Sequence, residues 1–169
     1  MQTEVDMHRY LVVAHQTVTN PLLLEKLKEI ALQNPSAEFT LLVPATRVRN
    51  LLFWQRTGHD AEAVARELAD KARSEFKKNF VNLVDARVGP ESPLDAIDNE
   101  LKANPGYEAV VISTLMKGES RWLELENLPN YVQTKYGLPV HLISTLPGFY
   151  GTWSDSWKNN AHFFGAGNP

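Results

Sequence analysis

Cysteine is absent from the 169 residues. That excludes disulfides, a thiol nucleophile and thiolate metal sites together. No apolar run approaches the ~18 residues a membrane-spanning helix needs. The patterns G-x-x-x-x-G-K-[ST] and G-x-G-x-x-G do not occur, so neither of these phosphate-cradling loops is present. His8, His59, His141 and His162 show no metal-ligand spacing. A formal net charge of -3 leaves no dominant electrostatic grip on nucleic acid, which depends on clustered Lys and Arg. Nucleic acid and membrane are therefore not expected partners.

Hydrophobic residues at 43% and charged residues at 22% are ordinary for a globular protein, and a chain of this length can bury one proper core. The first nine residues, MQTEVDMHR, are polar and carry acids. They do not read as a signal peptide, so a cytoplasmic protein is expected.

Strand and helix patterns alternate along the chain. RYLVVAH (9–15) reads as a buried strand. In the helix that follows, Asn20 caps, Pro21 suits the first position, and Leu23, Leu24, Leu27, Ile30 and Ala31 share a face. EFTLLVPA (38–45) is a second strand. After a polar excursion, Asp60 caps a helix with Val64, Ala65, Leu68, Ala72 and Phe76 at helical spacing. FVNLVDARVG (80–89) reads as strand three. Ser92 and Asp95 open a third helix, in which Leu94, Ile97 and Leu101 face inward. YEAVVIS (107–113) is strand four, a helix runs from Pro129 to Gly137, and LPVHLIS (138–144) is strand five.

Strands apolar on both faces, alternating with helices, predict an α/β three-layer sandwich around a five-stranded parallel sheet. The order 3-2-1-4-5 is expected. Residues 1–145 read as the α/β domain. Residues 146–169 read as a Gly-, Asn- and aromatic-rich C-terminal tail without helical or strand period. Strand five is then the sheet edge, and a homodimer through strand five and the tail, around residues 138–157, is expected.

Ligands of open parallel sheets bind beyond the carboxyl ends of the strands, where the strand order reverses. Strand one ends in His15, Gln16 and Thr17, strand two near Val43, and strand four in Ser113 and Thr114. These are the candidate ligand-binding residues. Ile-Ser-Thr-Leu ends strand four and recurs at the end of strand five, where Ser144 and Thr145 repeat the polar step. Just past strand four, Gly118 would let backbone approach a ligand, Ser120 offers a hydroxyl, and Arg121 can fork onto a phosphate or carboxylate. Arg121 can equally pair with Glu124 or Glu126. The excursion holding Arg47, Arg49, Trp54 and Arg56 is either a lid or an amphipathic connector. His15 is the one candidate base, with no nucleophile or carboxylate tied to it by spacing. No metal ligand and no catalytic residue is assigned.

The strand order, the VGPESPLDAI junction (88–97) and the EAVVISTL run (108–115) resemble the universal stress proteins, which belong to the adenine-nucleotide alpha-hydrolase-like folds. The similarity covers residues 9–144. RYLVVAHQT, LLVPAT and Ser113–Leu123 are most similar to a group of uncharacterised bacterial relatives with a motif like S-T-L-P-P-G-x-S-R-W-L. Met116 and Lys117 stand here in place of its two prolines. The resemblance implies the fold and a homodimer, with ATP or another nucleotide as the possible ligand. Many of these proteins bind ATP through G-x2-G-x9-G-[ST] after strand four. Here only Gly118 and Ser120 stand in that region, and His15-Gln16 occupy the place of an Asp usual after strand one. A nucleotide- or anion-binding stress or regulatory module is the first functional reading. A nucleotide hydrolase or transferase using His15, or a ligand-free dimeric scaffold, are the alternatives. Enzyme activity is the weaker expectation, because H-I-G-H and S-G-G-x-D-S are absent.

Overall fold

The computed structural model describes residues 6–46, 60–115 and 127–145 with their side chains, and the backbone of 151–155 and 161–164. Strands β1 (His8–Ala14), β2 (Ala37–Pro44), β3 (Leu83–Gly89), β4 (Ala109–Leu115) and β5 (Val140–Thr145) alternate with helices α1 (Pro21–Gln33), α2 (Ala61–Lys78), α3 (Pro93–Ala103) and α4 (Leu128–Tyr136). Two further strands, β6 (Gly151–Asp155) and β7 (Ala161–Phe164), close the described chain. The sheet order is β3-β2-β1-β4-β5-β6-β7. The first five strands are parallel and in the expected order, whereas β6 and β7 join antiparallel.

The last two strands correct one expectation. β5 is not an edge, because β6 pairs along it from Thr145↔Gly151 to His141↔Asp155. Part of the segment read as having no strand period is strand after all.

Helix starts follow local chemistry. Asn20 Oδ1 accepts from the Leu22 N–H, Asp60 from Ala63, and Ser92 Oγ from Asp95, each relieving an orphan donor of a first turn. Gly137 ends α4 in the left-handed region at φ 65°, where glycine carries no Cβ penalty. β3 begins at Leu83, three residues later than its hydrophobic pattern suggests. Phe80 turns through φ 59° and is 93% exposed, so the chain is still leaving α2 there.

Alternation along the strands separates two cores. Tyr10, Val12, Ala14, Phe39, Leu41, Val43 and Val111 pack with Leu23 and Leu27 of α1 and Ala65, Ala72 and Phe76 of α2. Leu11, Val13, Leu42, Val110 and Ile112 pack on the other face with Ile97 and Leu101 of α3 and Leu128 and Val132 of α4. Gly89 permits the close approach of α3 to β3: a Cβ there would lie 2.7 Å from the Cβ of Ala96.

Candidate functional site

The carboxyl ends of β1, β4 and β5 lie side by side, since Ala14 pairs with Ser113 and Ser113 with Ile143. The strand order reverses between β1 and β4, the position at which open sheets receive ligands. β4 runs two residues further than its pattern suggests, which puts Ser113 and Thr114 inside the strand. The two Ile-Ser-Thr-Leu echoes are offset by one residue. Thr114 stands opposite Ser144, and Leu115 opposite Thr145. Because side chains alternate, Ser113 and Thr145 share the α1/α2 face with Ala14, while Thr114 and Ser144 belong to the α3/α4 face.

β1 stops at Ala14, and the chain turns at once. Val18 N–H donates to His15 O at 3.3 Å and Asn20 N–H to Thr17 O at 3.0 Å, leading directly into the Asn20 cap. The turn leaves Gln16 exposed and folds Thr17 inward. Thr17 Oγ1 donates to the Ser113 carbonyl at 2.9 Å and accepts from Ser113 Oγ at 2.7 Å. These two candidates therefore satisfy each other and bind β4 to the β1–α1 turn.

His15 is not open to a crevice, as an accessible catalytic imidazole would have to be. It is 5% exposed, and burial alone pushes its pKa down to about 4, so the ring is neutral at pH 7. Its Nε2 has no hydrogen-bond partner, and neither has Thr145 Oγ1; these are the only such buried side-chain atoms among the described residues. An unpaired buried polar atom costs about 1–3 kcal/mol. Both occur at strand ends of the crest. Thr145 was legible only as part of the repeated polar step, and nothing in the sequence marked its hydroxyl as unpaired.

Val43 is fully buried in the α1/α2 core, so only its backbone could meet a ligand. Gly118, Ser120 and Arg121 lie outside the described residues, as do Arg47, Arg49, Trp54 and Arg56 of the excursion. Among the described residues no group of three or more His, Asp or Glu could hold a metal, and no helix is long and apolar enough to cross a membrane.

The other charged clusters fasten the fold. Asp98 accepts from Tyr131 Oη at 2.8 Å, from Lys135 Nζ at 3.2 Å and from Tyr136 Oη, linking α3 to α4. Burial works to raise its pKa, but these hydrogen bonds outweigh it and hold the carboxyl below the usual range. Glu100 Oε1 receives Arg87 Nη1 at 2.6 Å and Tyr107 Oη at 2.8 Å, tying α3 to the sheet.

No protein-family model matches the chain, and no curated protein matches it significantly. Solved structures do share its fold. A universal stress protein family protein from Arabidopsis thaliana, with AMP bound, superimposes with a TM-score of 0.56 at 16% identity, covering 83% of this chain and 93% of that one. A protein of the universal stress protein family from Burkholderia pseudomallei gives a TM-score of 0.49 at 13% identity over 81% and 96% of the two chains. The Arabidopsis likeness speaks to architecture: the five parallel strands and their flanking helices form a universal-stress-protein-like α/β fold.

Proposed function

We propose that this chain is a universal-stress-like module that binds a nucleotide or another small anionic ligand at the carboxyl crest of its sheet, in a stress-linked or regulatory role. The observation that carries this reading is the gathering of His15, Thr17, Ser113, Thr114 and Thr145 beside the β1/β4 reversal, in a sheet with no other comparable set of buried polar strand ends among the described residues. The AMP in the Arabidopsis structure supports a nucleotide as the first ligand to try. Cytoplasmic residence and a homodimer accompany this reading as expectations.

Turnover by His15 is the weaker alternative. A base with a pKa of about 4 draws protons poorly at pH 7, and an efficient general base is tuned closer to the working pH. Incubation of the purified full chain with ATP separates the readings. Retained nucleotide without phosphate release is expected. Phosphate release would favour the hydrolase, and neither result would favour a ligand-free scaffold. Mass spectrometry of co-purifying small molecules then identifies the native ligand.

A further inference from the structure

Among the described residues β3 ends one side of the sheet, and its central residue is Ala86. An edge strand offers its outward N–H and C=O groups to any strand that can pair with them. Both groups of Ala86 are already taken by side chains. The amide donates to Asp85 Oδ1 at 2.8 Å, and the carbonyl accepts from Arg73 Nη2 at 3.0 Å. The two side chains arrive from opposite faces of the sheet. Arg73 stands on α2, whereas Asp85 is held on the α3 side. Asp85 Oδ2 receives Arg87 Nε at 2.7 Å, and Arg87 Nη1 in turn donates to Glu100 Oε1 of α3 at 2.6 Å. Glu100 is buried, so the latch is anchored inside the fold. Arg73 Nη2 and Asp85 Oδ1 stand 3.9 Å apart, which closes the latch over Ala86. The register with β2 also skips Val84, a bulge that bends this edge and adds to its closure.

Behind the latch the strand is complementary to itself. In a two-fold antiparallel pairing centred on Ala86, the two Ala86 residues would exchange both backbone hydrogen bonds. The same register sets Asp85 opposite the partner's Arg87, and Arg87 opposite the partner's Asp85, so opposite charges meet on both sides of the axis. Val84, 51% exposed, is apolar surface that such pairing would cover. We propose that β3 is a pairing edge for a second copy of this chain, held closed by the Arg73 and Asp85 side chains. Opening needs only these two side chains to swing away, after which Asp85 exchanges its own Arg87 for the one opposite. While closed, the latch leaves assembly to the other end of the sheet. The edge needs no ligand at the carboxyl crest.

Arg73→Ala in the full chain frees the Ala86 carbonyl and spares both cores, since Arg73 is exposed. Sedimentation velocity should give Arg73→Ala at least twice the mass of the unsubstituted chain at equal concentration. Ala86→Pro removes the outward N–H, a change that an edge strand tolerates. Arg73→Ala combined with Ala86→Pro should therefore return to the unsubstituted mass. Amide exchange gives a reading that needs no variant to fold. In the unsubstituted chain the Ala86 amide should exchange at least tenfold more slowly than a free amide. Arg73→Ala with native circular dichroism and an unchanged mass overturns the inference, and so does association that persists with Ala86→Pro. An Ala86 amide that exchanges at the free rate in the unsubstituted chain removes the latch and overturns it as well. None of these outcomes bears on nucleotide binding.

Discussion

Thr17 and Ser113, 96 residues apart in the chain, exchange two hydrogen bonds at 2.9 and 2.7 Å and lock the turn after β1 to the end of β4. Both residues are buried, so a lost bond is not replaced by water. Thr17→Val should lower unfolding stability by about 1–3 kcal/mol, because it leaves the Ser113 hydroxyl and carbonyl short of a partner. Ser113→Ala, which spares the donation from Thr17, should cost about 1 kcal/mol. Urea unfolding of the two variants gives the comparison, and equal costs would mean that the two bonds are not independent.

Gly89 meets α3 too closely to carry a side chain. A Cβ would stand 2.7 Å from Ala96 Cβ and 3.2 Å from Leu42 Cδ1. Since Ala96 Cβ is fixed to the helix backbone, Gly89→Ala must push α3 outward, at about 1–3 kcal/mol of overpacking. Ala96→Gly in the same chain should recover part of that loss. Denaturation midpoints of the single and double variants measure the coupling.

Burial of the neutral His15 ring links stability to pH. Its pKa falls from 6.5 to about 4 on folding, so the unfolded chain binds the proton more readily across that window. The stabilisation is present above pH 6.5 and is lost as pH falls toward 4, by an amount on the order of 3 kcal/mol. His15→Gln should flatten the stability profile between pH 6.5 and 4. An unaltered slope would show that His15 titrates in the folded chain as it does when unfolded.

The sheet was legible because its determinants are local. Asn20, Asp60 and Ser92 cap within three residues of the groups they serve, and Val- and Leu-rich runs between helical patterns leave few arrangements open. What escaped is what depends on distant partners. β6 and β7 are five and four residues long, hold three aromatics and one glycine between them, and exist as strands by pairing onto β5 and onto each other. Lys26 lies on a helical face read from its leucines, yet it is buried among them. At the crest, strand order made His15, Thr17 and Ser113 neighbours. Which hydroxyls bond each other depends on the β1–α1 turn that folds Thr17 onto Ser113, and the one-residue offset between the two Ser-Thr steps sets Leu115, not a hydroxyl, opposite Thr145.

Assembly can be tested on the revised edges. On β3, the Ala86 N–H donates to Asp85 Oδ1 at 2.8 Å and the Ala86 carbonyl accepts from Arg73 Nη2 at 3.0 Å, so side chains occupy this outer strand. Among the described residues, β7 is the outermost strand at the other end of the sheet. We propose that a homodimer forms at that end, with the tail rather than β5 as the pairing edge. Light scattering should give a dimer for the full chain and a monomer for a chain ending at Asp155. A monomeric full chain would end the proposal.

Photolabelling with 2-azido-AMP, followed by peptide mass spectrometry, tests the account most directly. Saturable labelling, competed by AMP, is expected only in peptides containing His15–Thr17, Ser113–Leu115 or Ser144–Thr145 at the crest. Competed labelling at the amino-terminal ends of the strands, or no competed labelling at all, would contradict it.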